Sequence, residues 1–326
     1  MTTIHGIASS KDGSTLISGQ FTRREAFPAP MHSSCLRLAP TPVDQWRPLP
    51  IPTDGHLELT LGDRIHGGTS GTAYLADVVS STSTGMPPRV VVKFARQCRT
   101  LAREAWFYEQ LSRESNCEGV IAPKCYGFFV GWRKDWDASQ GGDQCSDFVF
   151  KPTHNAPSSE SPPLWYDLAD DELFNPDFWL YFCDDAGIKR ESEWNTFNDD
   201  DDDGDIAAIL ILEVLGDFYP APMIDEEALG DIKEIVTDLA YTGIRHYDIR
   251  HANVVRRLES SDKETSFCYR HQKVHDWRII DFDRATRTLF TKKNPRDMQA
   301  CLDQANLVGN EYFMGTLKPW VYNVQY

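Results

Sequence analysis

A lysine inside an apolar run constrains this chain more than any other feature. Residues 89–95, RVVVKFA, are otherwise apolar and rich in β-branched side chains, a run too short for a free-standing helix and typical of a buried strand. A buried ammonium needs an anionic partner or must give up its charge, unless Lys93 snorkels from an edge strand. A helix is predicted next, over residues 100–112 (TLAREAWFYEQLS), where Leu101, Ala105, Tyr108 and Leu111 recur at helical spacing. Glu104 stands among them, either as that partner or as an ordinary solvated helix charge.

The 326 residues suffice for one large domain or two ordinary ones, and 41% hydrophobic with 25% charged residues is a globular composition. A net charge of −16 disfavours binding to nucleic acid or to an anionic membrane surface. No window approaches the roughly 18 apolar residues of a membrane span, and the first residues lack the layout of a signal peptide. A soluble, intracellular protein is expected. The eight cysteines include no C-x-x-C pair, which argues against a zinc site and a disulfide framework and for reduced, packed thiols.

Seven prolines between Pro28 and Pro52 forbid a long helix there, and residues 1–55 read as an N-terminal extension. From His56, HLELTLGDRI alternates like a strand, GGTSG turns, and AYLADVV resumes the alternation. GVIAPKCYGFFVGW reads as loop and strand. Residues 133–205 form an insertion holding the acidic run Asp199 to Asp203, which is read as a solvated linker because it lacks the glycine and distal glutamate of a calcium loop. IAAILILEVL is a second buried strand. A helix follows, with Asp225 as N-cap, Gly243 as stop, and Leu229, Ile232, Val236 and Leu239 on one face. Beyond Asp283 the chain reads as partly helical around Pro295 to Leu307.

Taken singly, GGTSG, Lys93, Glu104, the HxDxxxxN spacing of His246, Asp248 and Asn253, and the strand ending IIDFD are weak signals. Their order is that of the parts of a phosphoryl-transfer site: glycine turn, strand lysine, helix glutamate, apolar strand, long helix, polar loop, strand ending in Asp-Phe. In this order, and in the wording RHYDIRHANV with IIDFDRA, the chain resembles the protein-kinase-like superfamily and its divergent fungal members.

What the resemblance implies can be carried over position by position. Gly68 and Gly71 match the second and third glycines of the phosphate loop, with His66 at the first, and Gly67 and Ser70 count with them as phosphate-binding. Lys93 would neutralise the phosphates and Glu104 hold it. Asp248 would take or orient the acceptor's hydroxyl proton, with Arg250 as a nearby cation. Asn253 and Asp281 would hold magnesium. Leu212, Glu213 and Leu215 would border the base. Tyr247 stands where the family has an arginine, which puts regulation by an activation-loop phosphate in doubt, and Asp283 replaces a glycine. His271 and His275 are read as surface residues, since no carboxylate or third histidine lies at ligand spacing.

The resemblance implies a bilobal α+β fold: residues 56–212 with an antiparallel sheet, and residues 213–326 as a truncated, mainly helical lobe without an Ala-Pro-Glu motif. The implied function is an ATP- and Mg2+-dependent phosphotransferase acting on a hydroxyl, in the first instance of a protein. A small-molecule kinase and a pseudokinase remain open.

Overall fold

The computed structural model describes residues 1–10, 16–24, 26, 55–67, 71–95, 98–113, 117–132, 148–150, 206–221, 224–259, 266–287 and 295–315. Its strands begin with β1 (Thr2–Ser10), β2 (Leu16–Arg23), β3 (Leu57–Gly67), β4 (Gly71–Ser81), β5 (Arg89–Ala95), β6 (Cys125–Trp132), β7 (Phe148–Phe150) and β8 (Ile206–Leu212). Seven of these close on themselves in the order β1-β2-β6-β8-β5-β4-β3 and back to β1. All neighbours are antiparallel except β1 and β3, which run parallel with Thr2 opposite Leu57. The short β7 extends β1 beyond the point where β3 leaves it.

The expected bilobal α+β fold is therefore corrected: a closed seven-stranded barrel dominates, strands outnumber helices, and only three α-helices occur among the described residues. The cause lies in residues 2–23, assigned from sequence to an extension. They form a hairpin that pairs with β3 on one side and β6 on the other, so the sheet's two edges are covered. Closure is tight at Gly131, where an added Cβ would collide with the Gln20 carbonyl of β2.

Alternation divides the strands between two cores. Leu57, Leu59 and Leu61, then Val90, Val92 and Phe94, then Ala207, Ile209 and Ile211 fill the barrel with Ile4, Phe21 and Tyr74. The opposite face of β8, Ala208, Leu210 and Leu212, joins Phe128 and Val130 of β6 in a second core outside the barrel. Burial on both faces explains why β8 is an unbroken apolar run.

The second core is built on helices. Helix α1 (Cys98–Arg113) buries every residue from Leu101 to Tyr108, because the barrel wall covers one side and residues 282–285 the other. Helix α2 (Glu226–Tyr241) starts where predicted: the Asp225 carboxylate accepts from the N–H groups of Glu227 and Ala228. It ends before Gly243, whose φ of +81° is left-handed. Its apolar face, Leu229, Ile232, Val236 and Leu239, is buried.

After α2 the strands are two or three residues long. β9 (Ile244–Arg245) pairs with β14 (Thr286–Arg287), β10 (Val254–Arg256) with β13 (Trp277–Ile279), and β11 (Phe267–Cys268) with β12 (Lys273–Val274). Helix α3 (Pro295–Leu302) and a 3-10 turn to Leu307 follow. The β11–β12 hairpin lies against α2, so His275 is fully buried and His271 largely so, not on the surface as expected. No described helix is long and apolar enough to cross a membrane. Of residues 133–205 only Phe148–Phe150 are described, and the acidic run lies outside the described residues.

Candidate functional site

Lys93 projects away from the barrel interior because its strand neighbours Val92 and Phe94 point inward. Its ammonium lies 2.6 Å from Glu104 Oε2 of α1 and 2.6 Å from Asp281 Oδ1, so one cation is held between two carboxylates. The alternative of a snorkelling edge lysine falls away, since β5 lies between β4 and β8. Burial alone would lower the Lys93 pKa, but Asp281 and Glu104 outweigh it and hold the ammonium charged. Burial raises the Glu104 pKa against the pull of Lys93. At Asp281 burial acts in the same sense, yet the adjacent Lys93 holds the carboxyl below its ordinary range.

Asp281 is delivered by the ladder between β10 and β13. Val254 stands opposite Ile279, and the Ile280 N–H donates to the Asn253 carbonyl at 3.0 Å, which sets Asn253 beside Asp281. Asp281 has a φ of +69°, a left-handed conformation costly for a residue with a Cβ, and it turns the chain directly into Phe282. Phe282 is buried between Phe107 and Tyr108 of α1 and against His246, so the Asp-Phe pair docks on the helix that carries Glu104. Arg103 reinforces that docking by donating to the Ala285 carbonyl.

Asp248 is buried and held from several sides. Its Oδ2 accepts from Asn253 Nδ2 at 3.0 Å and lies 3.2 Å from Arg250 Nε, while Oδ1 accepts from the Tyr312 hydroxyl at 2.7 Å. Asn253 Nδ2 also donates to the Asp248 carbonyl, which closes the loop between them. His246 joins this loop to the strand of Asp281: Nε2 donates to the Ile280 carbonyl, and Nδ1 accepts the Asp248 N–H. Burial lowers the His246 pKa and keeps the ring neutral, as that pattern requires. Tyr247, at φ +60°, stacks under the Arg245 guanidinium.

A cleft opens beside these groups. Ile65, Ala73, Val91, Leu212, Leu215, Phe218 and Val255 line it with apolar surface, and Lys93, Glu104, Arg250, Asn253 and Asp281 form its charged end. Leu212, Glu213 and Leu215 all border it. The Glu213 N–H is bonded to the Lys124 carbonyl, so only its carbonyl is left to offer a ligand. Gly67 ends β3 and Gly71 starts β4, while Gly68 and Ser70 lie outside the described residues.

The sequence-predicted residues Lys93, Glu104, Arg250, Asn253 and Asp281 thus meet at one cleft, and Asp248 is joined to it through Asn253 and Arg250. Val91 and Tyr312 were not foreseen. Period-two alternation from Lys93 could have found Val91, whereas nothing near Tyr312 in sequence points to Asp248.

No family model matches the chain, and no curated protein matches its sequence. A solved structure to which it is similar is a chain of the CAK complex from Chaetomium thermophilum bound to ATP-gamma-S, at 12% identity over 72% of this chain and 49% of that chain, with a TM-score of 0.34. The chain spans about half the length of that match, and a likeness at this level establishes neither a common fold nor a common activity.

Proposed function

We propose that the chain is an ATP- and magnesium-dependent phosphotransferase that moves the γ-phosphoryl group to a hydroxyl, in the first instance on a protein. The observation that carries this reading is Lys93 held by Glu104 and Asp281 at the charged end of an apolar cleft. In it, the apolar walls take the base, Leu212, Leu215 and the Glu213 carbonyl border it, and Gly67, Gly68, Ser70 and Gly71 serve as the phosphate-binding residues.

The oxygen donors Asp281 and Asn253 suit a hard divalent cation, and two carboxylates around one ammonium leave an excess of negative charge for it to balance. Bound there, magnesium would neutralise phosphate charge. Lys93 supplies a fixed positive charge, and Glu104 keeps it from solvent. In the transfer, the acceptor oxygen forms a bond to the γ-phosphorus as the bond to the β-phosphate oxygen breaks, and the acceptor proton passes to the Asp248 carboxylate. Arg250, whose Nε lies 3.2 Å from Asp248 Oδ2, supplies a cation for the γ-phosphoryl oxygens.

A second reading, a nucleotide-binding pseudokinase, is favoured by the Tyr312 hydroxyl sitting on Asp248 Oδ1. One experiment separates the two: purified protein, γ-labelled ATP and magnesium, offered mixed protein and small-molecule acceptors. Transfer that Lys93→Ala removes supports the enzyme. Nucleotide binding without transfer supports the pseudokinase, and no nucleotide binding with or without magnesium overturns both.

A further inference from the structure

The histidines expected on the surface take part in a second cluster, none of whose residues lines the cleft, that the phosphotransfer reading does not use. Four side chains from separate turns of the chain converge there: Asp238 near the end of α2, Cys268 on β11, His271 in the hairpin turn, and His275 just after β12. Each presents one ligand atom, and all four atoms lie within 4.8 Å of one another. Cys268 Sγ is 3.2 Å from Asp238 Oδ2 and 3.6 Å from His271 Nδ1. His271 Nδ1 is 3.3 Å from both Asp238 Oδ2 and His275 Nε2.

Four of the six separations thus lie between 3.2 and 3.6 Å, and the other two are within 4.8 Å. A zinc ion bound at 2.0–2.3 Å to oxygen, nitrogen and sulfur spaces its ligands by about 3.3–3.8 Å. We propose that Asp238, Cys268, His271 and His275 form a structural zinc site. This inference is independent of the phosphotransfer reading.

The protonation pattern favours a cation. Asp231 Oδ1 lies 2.7 Å from His275 Nδ1, and Asp231 Oδ2 accepts the Asp276 N–H. A carboxylate only accepts, so Nδ1 carries the proton and Nε2 turns its lone pair into the cluster. This is the carboxylate–histidine pairing that orients metal-binding imidazoles. Arg270 Nε, 2.8 Å from Asp238 Oδ1, leaves Oδ2 directed at the cluster. A thiol and two imidazoles select a borderline-soft ion over magnesium or calcium. With four protein ligands no position is left open, so the site holds structure.

The location gives the ion work to do. β11 and β12 are two residues each, and a hairpin that short has little stability alone. It lies in the connection between β10 and β13, the strands that bring Asn253 and Asp281 together. Zinc would clamp that connection to α2 and hold the register of the ladder.

The test uses the full chain, purified without chelator or nickel resin. Elemental analysis should find about one zinc per chain, reduced at least tenfold by Cys268→Ser or His271→Asn and unchanged by Asp281→Asn. Because those variants could fail to fold, the second measurement is on the wild type. Exchange of its metal for cobalt should give a thiolate-to-cobalt charge-transfer band and the strong visible absorption of a tetrahedral centre. The proposal is overturned if the wild type holds less than about a tenth of a zinc per chain and takes up no cobalt, leaving a metal-free hydrogen-bonded cluster. It is also overturned if cobalt binds without the thiolate band.

Discussion

The barrel and residues 213–315 are held together by different means. In the barrel, strands of 7 to 11 residues form a continuous ladder around one apolar interior, and apart from Lys93 at the cleft its buried polar side chains among the described residues are Thr2 and Thr72. Residues 213–315 pair in strands of two or three residues and bury Asp231, Asp238, His246, Asp248, Asn253, His275, Arg278 and Gln304. Arg278 there is fully buried and donates to the carbonyls of Gly119, His275 and Trp277. The three described non-glycine residues with positive φ, Tyr247, Gln272 and Asp281, also belong to this half. A barrel stabilised by apolar area tolerates changes of pH and charge. A half organised by hydrogen-bonded ionisable groups can aim polar atoms at a ligand, and it depends on each partner being present.

The contrast is tested most severely at Asp248. Asp248→Asn should reduce transfer by about 10²–10⁴-fold, because the proton acceptor is lost, while nucleotide affinity measured by calorimetry stays within a few-fold. Loss of binding in parallel with transfer would place Asp248 among the structural groups instead.

Next in size is the barrel interior. Ile209→Ala should cost about 2–5 kcal/mol in denaturant unfolding through lost burial and a residual cavity. The loss should be equal at pH 5.5 and pH 7.5, since the apolar cluster that holds Ile209 has tyrosines as its only ionisable groups, and burial pushes Tyr74 and Tyr126 up from their ordinary values. A pH-dependent loss would mean that the two halves do not behave as distinct cores.

A smaller, pH-linked effect belongs to His246. Its pKa is lowered from 6.5 in the folded protein by burial, so below pH 6.5 the unfolded chain takes up a proton that the folded chain refuses. Its contribution to stability is complete above pH 6.5 and is lost as pH falls toward the lowered folded value. The melting temperature of the wild type should therefore fall from pH 7 to pH 5 more steeply than that of His246→Gln, and Ile209→Ala should keep the wild-type slope. Equal slopes in wild type and His246→Gln would remove His246 from the linkage.

The smallest expected effect is at Tyr312. Tyr312→Phe removes the hydroxyl on Asp248 Oδ1, making the carboxylate more basic and freeing the position an acceptor would need. Turnover should rise by less than about tenfold, since only part of a hydrogen bond worth about 1.5–3 kcal/mol is lost between ground and transition state. A fall in turnover would make Tyr312 a positioning residue for Asp248.

Much of the site was legible in the order of residues. The buried charge of Lys93 demanded a carboxylate, and helical spacing made Glu104 a candidate. The spacing of Asp248 and Asn253, and the strand ending at Asp281, were local patterns that the β10–β13 ladder then joined. Helix α2 was readable down to its Asp225 cap, because capping is an interaction between residues two and three apart.

Other features had no local signature. Cys268, His271 and His275 stood in C-x2-H-x3-H spacing, but the carboxylate facing them, Asp238, lies thirty residues upstream on another element. Tyr312 reaches Asp248 across 64 positions. The hairpin of residues 2–23 alternates like any strand pair, and nothing within it says that β1 will run parallel to β3 while β2 meets β6. Spacing along the chain determined what each segment could become, since helix faces, strand faces and caps depend on neighbours a few residues away. Which segments met, and so whether the sheet closed and which carboxylate faced which imidazole, was decided by tertiary packing. There the burial of surface shared between distant segments outweighs the entropy lost in bringing them together.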